Sequence, residues 1–297
     1  FMINLKNNRL NISIVIYSCI FAMVICKTMF FYFSSKFSFV NFIHTALVFM
    51  ILFNSWNIQL MHINRYGRDS LVNLIFVWLQ IIPLAGFFVY RPLKLKFLLG
   101  LLTILAVLLA IQHIVEYFAT KNEDLMIKKL TEPFCYILLG RAAALALGFV
   151  FTKWAFWFIF LALIVSQLLP SFISRSLHVK DINFSHLVAN THVMIIISVI
   201  AIIIGNFLYF GFAIKTLLLD IMVIALLYIF NKKILTVDIG INKQSGNDFI
   251  LGSYCIIFGI YLVNFSLGYS HLILYIIIAI ISLVVGRRKY DIYKIED

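Results

Sequence analysis

Apolar residues fill this chain in long blocks separated by short polar intervals, and neither the two-residue alternation of a half-buried strand nor the single stripe of a water-soluble helix organises them. The blocks fall at 11–33, 40–62, 70–90, 95–116, 131–151, 154–174, 185–206, 208–230, 248–267 and 270–286. Each is close to the roughly 20 residues that a helix needs to cross a bilayer core. The pattern predicts an all-α, polytopic transmembrane helical bundle of about ten spans. Connections nearly vanish at 151–154, 206–208 and 267–270, where tight turns are expected beside Gly205, Gly211 and Gly268.

Composition narrows the class further. The 297 residues are 63% hydrophobic and 12% charged, with a mean hydropathy of +1.04, which excludes an ordinary soluble domain. No linker divides the chain, so residues 1–297 are expected to form a single integral membrane domain. The first block follows Lys6 and Arg9 in the manner of a signal peptide, but its length marks it as a retained helix. The cysteines, Cys19, Cys26, Cys135 and Cys255, lie inside predicted spans without a Cys-x-x-Cys pair and read as small buried hydrophobes.

The formal net charge of +12 is distributed unevenly. Alternating loops place Lys6, Arg9, Arg65, Arg68, Lys121, Lys128, Lys129, Arg175, Lys180, Lys232, Lys233, Lys243 and the basic end after 286 on one side. The other side receives Lys36, Arg91, Lys94, Lys96 and Lys153. This bias predicts both termini in the cytoplasm, with the 90–96 loop as the exception. The expected partners are membrane lipids, including anionic headgroups, and not nucleic acid, because no compact basic module is present.

Polar residues inside the spans carry the functional information. Arg141 and Asp220 sit near the centres of their spans, where a charge costs about 2.5–3.5 kcal/mol on insertion scales, so each should face the interior, and a pair between them is expected. Lys27 and Lys215 lie in outer halves and are expected to snorkel, or, with His44, to line a basic vestibule. The densest constellation runs from Asn54 to Gln80. At helical spacing Asn54, Asn57, Asn64, Arg65 and Arg68 form one stripe, Trp56, Gln59 and His62 an adjacent one, and Asn73 and Gln80 share a face of the next span. A polar entry also occurs at Ser185, His186, Asn190 and His192. These amides either glue helices or line a cavity whose cytoplasmic end is capped by arginines. Histidines 62, 113, 186 and 192 lie toward one leaflet and permit a haem, but core histidines that only hydrogen-bond are commoner, so no cofactor and no metal are expected. Nucleotide-binding, zinc-protease and serine-hydrolase motifs are not found, and no catalytic residue is assigned.

The segment Ser55-Trp56-Asn57-Ile58-Gln59-Leu60-Met61-His62-Ile63-Asn64-Arg65-Tyr66-Gly67-Arg68-Asp69-Ser70 resembles the bacterial low temperature requirement A family, with Trp56, Asn64, Arg65, Tyr66, Gly67, Asp69 and Gln80 matching its pattern. Asn183-Phe184-Ser185-His186-Leu187-Val188 is similar to a second helix entry of that family. Ala189 and Asn190 depart from the usual Glu-Arg, Ile200 and Ala201 from a Gly-Glu, and the acidic first-helix motif is lacking, which marks a divergent branch. The resemblance implies a multi-pass protein of the bacterial cytoplasmic membrane and no particular reaction. Together with the polar stripes it points to a secondary transporter or permease for a small or anionic solute. The alternative is a non-transporting lipid-binding scaffold or accessory membrane subunit.

Overall fold

The structure is a computed structural model that describes residues 12–33, 38–66, 71–89, 94–120, 125–177, 184–210 and 246–266, with positions 218, 221, 225, 277 and 280–285. The described residues are almost entirely helical and contain no strand. The helices are α1 (Ile12–Phe33), α2 (Phe39–Tyr66), α3 (Leu71–Val89), α4 (Leu95–Thr120), α5 (Leu125–Val150), α6 (Ala155–Leu177), α7 (Phe184–Phe210) and α8 (Gly246–Ser266). The spans expected at 208–230 and 270–286 fall largely outside the described residues, as do Lys215 and Asp220.

Several ends have a visible cause. Ser38 caps α2: its Oγ accepts the Asn41 N–H at 3.1 Å and its carbonyl accepts Phe42 N–H at 2.9 Å. The tight connection expected at 151–154 is a one-turn 3-10 helix, Thr152–Trp154, closed by Trp154 N–H donating to Phe151 O at 2.9 Å. Other boundaries differ from the sequence reading. The break expected at 206–208 does not occur, because α7 continues to Phe210 with Gly205 and Asn206 buried. Glycine weakens helices chiefly where water competes for the backbone, and a packed interior removes that competition. Helix α5 begins at Leu125, ahead of the expected 131, and runs through Pro133, whose missing N–H removes one bond without stopping the helix.

Helices α1 and α2 form the centre. Helix α1 packs against α2, α3, α7 and α8, and α2 also meets α4, α6, α7 and α8, while α5 packs on α4 and α6. Close approach at the periphery uses glycine. A Cβ on Gly148 would stand 3.1 Å from Phe158 Cβ and 3.5 Å from Leu99 Cδ2, so this position joins α5 to both α6 and α4.

Among the described residues, large apolar side chains are exposed and polar side chains are buried within a largely apolar core. On α3 the exposed positions are Leu71, Val72, Leu74, Ile75, Trp78, Leu79 and Ile82, while the buried face includes the amides Asn73 and Gln80 with Val77, Leu84 and Phe87. Among the described residues, four helical stretches are long and apolar enough to cross a membrane: Phe39–Ile63, Leu95–Ala119, Thr131–Val150 and Thr152–Pro170. Shorter apolar stretches occur at Val15–Phe30, Leu71–Phe87, Val193–Leu208 and Leu251–Leu262.

Candidate functional site

Two connected polar clusters occupy the interior. The first is centred on Gln80, which is 0% exposed. Its Oε1 accepts the Tyr17 hydroxyl at 2.7 Å, and its Nε2 donates to Gln112 Oε1 at 2.7 Å and to Gln59 Oε1 at 3.3 Å. Both amide hydrogens of Gln80 are therefore used, and one side chain ties α3 to α1, α2 and α4. The chain continues as Gln112 Nε2 donates to Asn73 Oδ1 at 3.3 Å. His62 Nε2–H donates to the same oxygen at 3.2 Å, which fixes that tautomer if the imidazole is neutral. His113 Nδ1–H donates to Leu109 O at 2.9 Å, and its ring meets the His62 ring edge-on with centroids 4.4 Å apart. Beside this cluster, Trp56 Nε1 donates to Ser18 Oγ at 2.9 Å and fastens α2 to α1.

The second cluster surrounds Arg141, which is 0% exposed at the middle of α5. Because α5 packs on α4 and α6, the long arginine side chain is what reaches α2. There Nη2 donates to Ser55 Oγ at 2.5 Å and to Ile51 O at 3.2 Å, while the Ser55 hydroxyl donates to Ile51 O at 2.8 Å. Nε and Nη1 have no hydrogen-bond partner among the described residues. Among the described residues, the titratable groups that act electrostatically on the guanidinium are Tyr254 and Tyr17. Gln167 Nε2 donates to the Tyr254 hydroxyl, which also interacts with the side chains of Asn57 and Asn54. Ser166 Oγ lies 2.8 Å from Asn54 Oδ1 and 2.7 Å from Ala162 O, so its single proton serves one or the other. Tyr17 links the clusters, since it donates to Gln80 and stands within electrostatic reach of Arg141.

Of the residues singled out from the sequence, Asn54, Asn57, Gln59, His62, Asn73, Gln80 and Arg141 are buried in these two clusters. The side chains of Asn64, Arg65, His186, Asn190 and His192 lie outside the described residues. The expected Arg141–Asp220 pair also lies outside them, because Asp220 does. Lys27 does not snorkel: it is buried, and its ammonium donates to the Phe87 carbonyl near the end of α3. His44 stacks on Phe156 of α6. Lys215, the third residue of the expected vestibule, lies outside the described residues. Tyr17, Ser18, Ser55, Gln112, Ser166, Gln167 and Tyr254 were not among the expected site residues. Gln112 carried a usable signal, an amide within an apolar run. The hydroxyls carried none, because serine and tyrosine are common in membrane helices and can satisfy themselves locally, as Ser55 does.

Among the described residues no group of three or more His, Cys, Asp or Glu side chains is placed to hold a metal ion. Around Arg141 the chemistry available among the described residues is hydrogen-bond donation and acceptance. No protein-family model matches the chain, and no curated protein or solved structure matches it.

Proposed function

We propose that this chain is a multi-pass protein of the bacterial cytoplasmic membrane, a divergent relative of the low temperature requirement A type. In this reading it has about ten spans, cytoplasmic termini, and a permease role for a small or anionic solute. The observation that carries the reading is the polar interior that runs from the His62–His113 pair through Gln80 and Tyr17 to Arg141. A bundle held together by packing needs no guanidinium at its centre, and burying one is costly without a compensating role. The amides of Asn54, Asn57, Gln59, Asn73 and Gln80 then hold the solute in place of water, with Asn64, Arg65, His186, Asn190 and His192 expected toward the cytoplasmic entrance.

The second reading, a scaffold or accessory subunit, is favoured by the completeness of the bonds around Gln80, since amides that satisfy one another act as interhelical glue. Purified protein reconstituted into liposomes and tested with a panel of labelled small anions and neutral solutes separates the two. A permease gives uptake of at least one class above protein-free liposomes, whereas a scaffold gives none.

A further inference from the structure

We infer that Arg141 is the recognition point for a singly charged oxyanion of the monocarboxylate class, an inference that rests on the permease reading and gives its solute a chemistry. A guanidinium has five N–H donors and no acceptor. Nη2 is engaged by Ser55 and Ile51, while Nε and Nη1 have no partner among the described residues. The surplus around Arg141 is thus of donors, and an acceptor-only group answers it.

Charge sets the valence. Among the described residues neither a carboxylate nor a second cation acts on Arg141; the titratable groups that do are the phenols of Tyr254 and Tyr17. A monoanion neutralises this site, whereas a dianion leaves a net buried charge in a low-dielectric interior. Geometry selects an oxyanion with two oxygens. The outer edge of the guanidinium is formed by Nη1 and Nη2, which match the two oxygens of a carboxylate. The Ser55 hydroxyl already accepts from Nη2 at 2.5 Å, so it competes with a carboxylate oxygen for that nitrogen.

The test is binding, measured apart from transport. Full-length protein in neutral detergent is titrated with sodium acetate at fixed ionic strength, with chloride, inorganic phosphate and phosphatidylglycerol as comparison probes. Tryptophan fluorescence follows the thermal midpoint. The expected result is a saturable rise in midpoint with acetate, little with chloride or phosphate, an apparent Kd weakened about tenfold or more in Arg141→Lys, and tighter binding in Ser55→Ala. Ser55→Ala keeps the proposal testable if arginine variants fail to fold. An acetate response unchanged by Arg141→Lys overturns the inference, as does a response to phosphatidylglycerol alone. Full rescue of an unstable Arg141→Gln protein by Asp220→Asn also overturns it, because the arginine would then be answered inside the protein. Acetate binding without liposome uptake would refute the permease reading and leave the site standing; uptake without acetate binding would do the reverse.

Discussion

At the scale of single residues, the interior joins side chains with fully assigned bonding capacity to others, such as Arg141, with buried donors left over. Gln80 is the clearest case, because removing it orphans the Tyr17 hydroxyl and weakens the support of Gln59 and Gln112 at once. Gln80→Leu is expected to destabilise the protein by about 1–3 kcal/mol, the cost of leaving buried polar groups unsatisfied. Gln112→Leu breaks the 2.7 Å bond to Gln80 and the 3.3 Å bond to Asn73. Since the two variants share one bond, the double variant should lose less than the sum, with a coupling of about 0.6 kcal/mol, typical of interhelical bonds in membranes. Detergent unfolding of the four proteins measures it, and strictly additive losses would show that the Gln80–Gln112 bond contributes nothing. Arg141 contrasts with Gln80. Its bonds to Ser55 and Ile51 use one nitrogen of three, and that surplus is what separates a binding group from glue.

At the scale of helices, the pattern of apolar blocks located α1 to α7 and α8 closely, because bilayer thickness sets block length and charged loops punctuate it. The break expected beside Gly205 was misplaced because a helix shielded from water tolerates a glycine that would weaken it in water. The polar site was legible where an amide or charge interrupts an apolar run, as at Asn54, Gln80 and Arg141. It was illegible where tyrosine or serine supplies the partner, as at Tyr17 and Ser55, because neither departs from the apolar pattern. Lys27 was misread for a related reason: sequence shows that a cation is near a span end but not that a helix end stands beside it to accept its protons. Helix contact is testable at the glycines. Gly148→Leu inserts a side chain where a Cβ alone already meets Phe158 at 3.1 Å and should cost about 1–3 kcal/mol of overpacking. Gly140→Ala, whose added carbon meets Val165 Cγ1 at an ordinary 3.5 Å, should be close to neutral. Equal melting behaviour of the two variants would refute the close contact of α5 with α6.

At the scale of the whole molecule, the described residues bury amides and Arg141 within a largely apolar core and expose many large apolar side chains, which suits a solvent that cannot hydrogen-bond. The uneven distribution of lysine and arginine is the basis of the proposed orientation. A cysteine at Lys153, introduced after replacing the native cysteines, should react with an impermeant reagent in intact cells. One at Lys121 should react only after permeabilisation, and the reverse pattern would invert the topology. The central claim is that the polar interior is a path for a small anion and that Arg141 recognises it. Flux of labelled acetate into proteoliposomes, compared between the wild-type protein and Arg141→Lys at equal reconstituted amounts, tests this most directly. Lysine keeps the charge but loses the planar, paired donors. The account predicts wild-type uptake well above protein-free liposomes and a loss of about tenfold or more in the variant; equal uptake by the two proteins, or none by either, would contradict it.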